Sequence, residues 1–367
     1  MNSHLIIVRR RSDGTGGAEK FLRRLASLLS NHFEVDLWHA GTVTPAGHIS
    51  ETKGPSWYRD LAFSRRVRFL LPQYPQSLVL SFQRGVPGHL YRLGDGIHCQ
   101  WMKYKYQRRP FAKNINLLNW VYPRLEKISV TRSKRLVVNS PMVLRELETT
   151  YPSTSNRACC IENGFDPATY RPDPSPNPRS GPLLFVGNGW ARKGLDRAIQ
   201  TLALLPHSHL EVYGTGKPRP YKYLAQQLNL SDRVQFCGSL GEMVAAYTNA
   251  SALILPTRYD PFSNACLESL ACGTPVITTP KNGIAHRLKP HQNGWVLGQH
   301  GDDPAFRRWY QETLPRLTPS GVAATVQDLR ADLETQRWRD LLLECVSSSA
   351  TANLHCPDEE LLPWMLG

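Results

Sequence analysis

In the stretch YDPFSNACLESLACGTPVITT, residues 259–279, one acid stands before a helix-like segment and a second stands inside it. The strand-like run ALILP ends at Pro256 and the chain turns through TRYDPF. A helix is then expected to start with Ser263 or Asn264 as N-cap and to stop before Gly273. The first turn of a helix offers unsatisfied backbone N–H groups and partial positive charge. A pyrophosphate can therefore lie on Ser263, Asn264 and Ala265, while Asp260 accepts hydrogen bonds from sugar hydroxyls. Glu268, four residues after Asn264 on the same helical face, is suited to accept from two adjacent ribose hydroxyls. A turn-forming Asp260 and a solvent-facing Glu268 are the plainer account. Against it, the helix is otherwise apolar (Ala265, Cys266, Leu267, Leu270, Ala271, Cys272), and a lone carboxylate there is costly without a partner.

Three further loops could do chemistry. VGNGWARKGLDRA, residues 186–198, lies between a strand and a helix, with Arg192 and Lys193 flanked by Gly189 and Gly194. A guanidinium fork beside a point charge suits a diphosphate, although a solvated basic turn has the same composition. SDGTGGAEKF follows the strand HLIIV (4–8) and opens a helix. Gly16 and Gly17 there allow close backbone approach to a phosphate or sugar, or simply supply the dihedrals of the turn. YRLGDGIHCQWM (91–102) brackets Asp95 and His98 with glycines, and either could orient an attacking hydroxyl or belong to a structural turn.

The elements that must position these loops alternate regularly. PLLFVG, HLEVYG, RVQFCG, ALILP and PVITT read as buried strands separated by helix-like stretches, with Leu195, Ala198, Ile199 and Leu202 on one helical face. Strand–helix alternation implies an α/β class with a doubly wound parallel sheet covered on both faces. The first half repeats the pattern with HLIIV, LVLSF (78–82) and RLVVNS (135–140). RPDPSPNPRSGP (171–182) carries five prolines and reads as a linker. The expected organisation is a first domain at 1–170, the linker at 171–182 and a second domain at 183–300. Closing helices at 301–346, packing back towards the first domain, and a loose tail at 347–367 complete it. Two such domains would face each other across a cleft at the carboxyl ends of their strands.

Composition narrows the partners. The net charge of +14 is concentrated before residue 140, where 23 Lys and Arg face 8 Asp and Glu, and the remainder carries −1. That asymmetry points to one half facing something anionic. The basic clusters at 9–11, 65–68 and 103–110 are interleaved with Trp57, Tyr58, Trp101, Tyr104, Tyr106 and Phe111, which suits a phosphorylated lipid-linked acceptor on an anionic membrane surface. No apolar run approaches the roughly 20 residues of a membrane span, and the N-terminus reads as a cytosolic start. Eight scattered cysteines without C-x-x-C spacing read as reduced thiols. Among fifteen aspartates there is no D-x-D pair, so no metal is expected to clamp a diphosphate.

The combination of G-G-A-E near the N-terminus, R-K-G after a central strand, and an acid-x7-Glu segment running into ACGTPVITT resembles the family 4 retaining glycosyltransferases of the GT-B fold. "VNS", "IENGFDPATYRP" and R-K-G-L-D-R-A-I carry the likeness further, towards the bacterial lipopolysaccharide core glucosyltransferases. The resemblance implies two Rossmann-like domains, a UDP-sugar donor held mainly by the second and an acceptor held by the first, with no cofactor. Arg192 and Lys193 would neutralise the leaving diphosphate and Gly17 would lend it an N–H. Gly189, Gly238, Ser239, Asp260, Phe262, Ser263, Asn264, Ala265 and Glu268 would line the donor site, and Asp95 or His98 would serve the acceptor. The family has Glu where Asp260 stands, one methylene longer. Glucose transfer to a lipopolysaccharide-core or other lipid-linked, phosphorylated glycan follows, at the cytoplasmic face of the inner membrane. The alternatives are another nucleotide-sugar enzyme of the GT-B fold, or a nucleic-acid-binding protein using the basic half, for which no motif is present.

Overall fold

A computed structural model describes residues 3–11, 17–106, 116–173, 180–239, 241, 243–298 and 304–347. It divides into two compact units, one of residues 1–139, 143–161 and 335–367 and the other of 140–142 and 162–334.

The first unit opens with β1 (His4–Val8), α1 (Gly17–Leu29) and β2 (Glu34–Trp38), then a small antiparallel hairpin of β3 (Val43–Thr44) and β4 (Gly47–His48). It continues through α2 (Ser56–Leu70), β5 (Leu78–Ser81), β6 (Leu90–Arg92), α3 (His98–Lys105), α4 (Leu118–Arg132), β7 (Arg135–Val138), α5 (Pro141–Thr150) and β8 (Ala158–Cys160). Six of these strands form one parallel sheet in the order β2-β1-β5-β6-β7-β8. Alternate residues of β1 fill two different cores. Leu5 and Ile7 pack with Phe21, Leu25, Leu80 and Trp338, whereas Ile6 and Val8 pack with Trp38, Phe63, Val67 and Val79. That division is why HLIIV is apolar throughout: a parallel strand is buried on both faces.

The second unit runs β9 (Leu183–Val186), α6 (Trp190–Lys193), α7 (Leu195–Leu202), β10 (Leu210–Tyr213), α8 (Arg219–Gln227), β11 (Val234–Gly238), α9 (Val244–Asn249) and β12 (Ala252–Leu255). After it come α10 (Asn264–Ala271), β13 (Val276–Thr278), β14 (Gly294–Val296), α11 (Pro304–Arg308), α12 (Pro319–Ala324) and α13 (Ala331–Ser347). Its sheet is again wholly parallel, in the order β11-β10-β9-β12-β13-β14. The chain leaves β9 outward to β11 and returns to β12 on the other side, so the order reverses between β9 and β12.

The passage from first to second unit falls between Ile161 and Glu162, and residues 174–179 of the proline-rich stretch lie outside the described residues. Of the closing helices, α11 and α12 pack within the second unit. From Thr335 onward α13 packs in the first, where Trp338, Leu341 and Leu342 enter the core beside Leu5 and Phe21. Most of the expected tail, residues 348–367, also lies outside the described residues.

Candidate active site

Because β9 and β12 are neighbours, the loops that leave their carboxyl ends meet. After β9 the chain passes Gly187 and Gly189 into the single turn of α6, whose ends are capped by Gly189 and Gly194 in left-handed conformation, at φ 72° and 80°. Space bears on two of these glycines as well, strictly at Gly194, where the neighbour is backbone, and less so at Gly187, where it is a flexible side chain. A Cβ on Gly194 would stand 2.2 Å from the Pro256 carbonyl oxygen, and one on Gly187 would stand 2.6 Å from Lys193 Cε. The lysine stem thus lies along bare backbone, which aims its amine towards the loop after β12.

That loop is tied to α6 from both sides. Thr257 Oγ1 and Arg258 N donate to the Arg192 carbonyl at 3.0 and 2.8 Å, and Arg192 Nη1 donates to the Tyr259 carbonyl at 3.0 Å. Arg258 forks onto Asp196 at the start of α7. Asp260 is then fixed through its backbone. Its N–H donates to the Lys281 carbonyl and its own carbonyl accepts from Gly283 N–H, at 2.9 and 2.8 Å. Its side chain, only 9% exposed, lies 3.3 Å from Lys193 Nζ and 3.4 Å from Arg192 Nη1. Burial alone would raise this carboxyl's pKa, but Lys193 and Arg192 outweigh it and hold the group below its ordinary value. Asp260 is therefore a buried, ionised acid shared by two cations.

The chain next turns through Phe262, which is buried in the core, into α10. Ser140 Oγ donates to the Pro261 carbonyl at 2.7 Å, and Asn163 Nδ2 donates to Asn264 Oδ1 at 2.6 Å, so the loop and helix start are held from two further segments. Ser263 is the N-cap in extended conformation but makes no side-chain cap. Its Oγ is buried with no hydrogen-bond acceptor or donor beyond the neighbouring Cys266 thiol. The first N–H groups of α10, at Asn264 and Ala265, precede any intrahelical acceptor. A buried hydroxyl at a helix N-terminus, three residues along the chain from Asp260, has the chemistry to seat an anion. About one turn on, Glu268 Oε2 accepts from Tyr247 Oη at 2.9 Å.

Gly189, Arg192, Lys193, Asp260, Phe262, Ser263, Asn264, Ala265 and Glu268 thus belong to two facing loops and one helix. Gly238 and Ser239 stand apart, at the carboxyl end of β11 on the sheet's edge, two strands from β9. Gly16 lies outside the described residues, and Gly17 is the first residue of α1. A cavity of about 670 Å³ between α8 and β11 is lined by residues such as Lys222, Tyr223 and Phe236, and by none of those singled out from the sequence.

In the first unit, Asp95 and His98 follow β6 but differ in setting. The Asp95 side chain is 55% exposed and lies 3.6 Å from Arg84 Nη1. His98 is buried, its ring edge-on to Tyr122 at 5.3 Å. Burial, with Arg84 and Lys105 adding repulsion, lowers its pKa to about 4, so the ring is neutral near pH 7. Beneath both lies Glu126 of α4, almost fully buried. Its Oε2 accepts from Arg84 Nε at 3.4 Å and from the His98 backbone N–H at 3.0 Å, and its Oε1 accepts from Tyr151 Oη at 3.2 Å. Burial raises the Glu126 pKa, opposed chiefly by Arg84. Sequence reasoning did not single out Arg84, Glu126 or Tyr151. Only a partial signal was present: Glu126 is the one acid of α4, among the buried Val121, Leu125, Ile128 and Val130, but Arg124 and Lys127 stand close by and make it read as part of a charged face.

Among the described residues no group of three or more His, Cys, Asp or Glu side chains is arranged to hold a metal ion. Residues 15–169 match the family model Glycosyltransferase Family 4, and residues 168–308 match Glycosyl transferases group 1. The lipopolysaccharide glucosyltransferase WaaG of Escherichia coli (strain K12) is 25% identical over 261 residues, covering 66% of this chain and 69% of that protein. Other curated relatives are matched over about half of their own length. The crystal structure of WaaG superposes with a TM-score of 0.74 at 20% identity, over 92% of this chain and 99% of that one. HepE of Anabaena, solved with UDP-glucose, superposes with a TM-score of 0.66 at 16% identity, over 93% and 99%. With both halves accounted for, the chain belongs to the glycosyltransferases of the GT-B fold that join a family 4 domain to a group 1 domain, and it is related to lipopolysaccharide core glucosyltransferases.

Proposed function

We propose that this glycosyltransferase transfers glucose, with retention of configuration, from UDP-glucose to a phosphorylated, lipid-linked glycan of the lipopolysaccharide-core type. The observation that carries the reading is the meeting of Lys193, Arg192 and Asp260 beside the uncapped start of α10. Breaking a glycosyl–phosphate bond leaves a diphosphate with growing negative charge, and fixed cations and helix N–H groups stabilise that charge as it forms. Lys193 and Arg192 exchange Asp260 for phosphate oxygens when the donor arrives, Ser263 and the first N–H groups of α10 take the rest, and Asp260 remains as counter-charge and as acceptor for a sugar hydroxyl. Glu268 accepts from the ribose. The departing phosphate itself receives the acceptor's proton, so the donor side needs no further base, and Asp95 orients the attacking hydroxyl. The cations do the work that a metal does where a D-x-D pair is present. The similarity to a glucosyltransferase and to a protein solved with UDP-glucose supports the choice of donor.

The basic first unit suits the acceptor. Tyr58, Leu117 and Trp120 are 42%, 57% and 46% exposed at the starts of α2 and α4, and the Arg124 guanidinium lies over the Trp120 ring at 5.9 Å. Exposed aromatic and aliphatic groups beside arginine suit the headgroup region of an anionic leaflet, which supports a position on the cytoplasmic face of the inner membrane as part of this reading. None of the helices among the described residues is long and apolar enough to cross a membrane.

The decisive experiment has two arms. Thermal melts with UDP-, GDP- and ADP-glucose should show the largest rise for UDP-glucose, because a ligand of the folded state raises the melting temperature. Radiolabelled UDP-glucose incubated with core-truncated lipopolysaccharide should give an α-linked product by NMR. No shift with any of the three nucleotide sugars would remove the donor reading, and a shift without transfer would remove the acceptor.

A further inference from the structure

Glu268 lies in the middle of α10 between Leu267 and Ser269, with Cys266, Leu270 and Ala271 all buried. A glutamate there has three side-chain torsions to fix, and a flexible carboxylate is a poor ligand for a rigid diol because ordering it costs rotamer entropy. Two phenols address it from different parts of the chain. Tyr247, on α9, is fully buried and donates to Glu268 Oε2 at 2.9 Å. Tyr170, which precedes the proline-rich stretch, brings its phenol close to the Glu268 carboxylate, and the two rings lie 6.5 Å apart at 59°.

Both phenols are themselves anchored. The Tyr247 carbonyl accepts from Thr274 Oγ1 at 2.6 Å and its N–H donates to the Met243 carbonyl at 2.9 Å, while Tyr170 N–H donates to the Asp166 carbonyl at 2.8 Å. Burial first, and then the Glu268 charge, pushes both phenol pKa values above their ordinary range, so each is a proton donor at any physiological pH. A carboxylate offers about four acceptor positions. Phenols take up some of them without supplying a positive charge, so the other positions keep their direction and the carboxylate keeps its negative charge.

We propose that Tyr247 and Tyr170 are positioning residues: they clamp Glu268 so that its remaining lone pairs meet the two ribose hydroxyls of the donor nucleotide, which makes the clamp a determinant of ribonucleotide over deoxyribonucleotide selectivity. The inference rests on the assignment of Glu268 to the ribose. It separates contact from orientation: removing either phenol leaves the carboxylate in place but lets it wander.

Calorimetric titration of the full chain with UDP and with 2′-deoxy-UDP tests both levels. The unsubstituted protein should bind UDP more tightly than 2′-deoxy-UDP, by on the order of tenfold, the scale of hydrogen bonds to a charged group. Tyr247→Phe keeps the ring in the core, and it should weaken UDP severalfold while leaving 2′-deoxy-UDP almost unchanged, so the selectivity ratio falls towards one. Tyr170→Phe, at a half-buried position, should act in the same direction and serves if Tyr247→Phe does not fold. Glu268→Gln should abolish the ratio, and adding Tyr247→Phe to it should change nothing more. If the unsubstituted protein binds the two nucleotides equally, the ribose assignment falls and takes the clamp with it. If it discriminates and both phenylalanine variants keep the same ratio, the clamp alone is overturned.

Discussion

Lys193 Nζ and Asp260 Oδ2 stand 3.3 Å apart although 67 residues separate them in the chain. Their meeting is a consequence of topology, since β9 and β12 are adjacent only because the chain runs out to β11 and returns. The pair is mostly buried, with side-chain exposures of 12% and 9%, so neither charge is satisfied by water. A buried acid and a buried cation are each destabilising alone and tolerable together. The charges that hold this site in shape are the ones the proposed mechanism turns on the donor.

Replacing Lys193 with Ala should therefore have two separable effects. Turnover should fall roughly 10²-fold or more, the usual effect of removing a group that stabilises leaving-group charge. Stability should fall by about 2 kcal/mol, because Asp260 keeps only Arg192 as its partner. Adding Asp260→Asn to that variant should restore the melting temperature and leave the rate low. Initial rates and melts on the three proteins check this, and a near-normal rate in the single variant would remove Lys193 from the mechanism.

Acid sensitivity should localise to Glu162. Its carboxylate accepts from Arg287, which also pairs with Asp328, and lies 3.1 Å from His286 Nε2. Burial acts to raise its pKa, but the His286 and Arg287 hydrogen bonds prevail and lower it from 4.5 to about 2. A depressed acid contributes stability that is present above its unfolded pKa and lost as pH falls through the folded one. The shift corresponds to about 3 kcal/mol at neutral pH. Glu162→Gln should lose about that much at pH 7, and the gap from the unsubstituted protein should close between about pH 4.5 and 2. Denaturant melts across that range measure it, and a pH-independent gap would contradict the assignment.

The two parallel sheets were legible because buried strands such as LLFV and ALIL are short, continuous and bounded by glycine or proline. The grouping of the loops after β9 and β12 was legible because their chemistry is local: Arg192 and Lys193 are adjacent, and Asp260 to Glu268 spans one loop and one helix. What sequence could not give was long-range pairing. Ser140 holding Pro261, Asn163 holding Asn264 and Tyr247 holding Glu268 are links between segments 21 to 121 residues apart, and nothing in local composition marks them. Asp95 and His98 show the same limit on a smaller scale. Three residues apart in one glycine-bracketed loop, they read alike, yet the start of α3 turns His98 inward over Glu126 and leaves Asp95 outside.

That difference makes a prediction for the acceptor side. Asp95→Asn should lower transfer from UDP-glucose to core-truncated lipopolysaccharide by roughly 10²-fold, the scale of losing a group that orients the attacking hydroxyl. His98→Gln should act mainly on stability, since the ring is buried and, with a pKa of about 4, undergoes no titration between pH 5 and 8. The pH dependence of kcat/KM over that interval should be the same for the unsubstituted protein and His98→Gln. An inflection near pH 6 that disappears in His98→Gln would reverse the two roles.

Membrane affinity should depend on both the charge and the exposed aromatic groups of the first unit. Each Lys or Arg near an anionic surface contributes about 1 kcal/mol at moderate ionic strength, and the attraction fades beyond a Debye length of roughly 10 Å at 0.1 M salt. Vesicles containing phosphatidylglycerol should therefore bind the protein, vesicles of phosphatidylcholine should not, and added salt should release it. Trp120 and Leu117, both exposed, should act through a different term, insertion of apolar surface between headgroups, which salt does not screen. Leu117→Ser with Trp120→Ser should weaken binding while leaving its salt dependence unchanged, whereas Arg124→Gln should reduce the salt dependence. Flotation with each vesicle type at low and high salt separates the terms. Equal binding to charged and neutral vesicles would show that the basic half faces something other than a membrane, and binding to single-stranded nucleic acid at the same salt would identify the competitor.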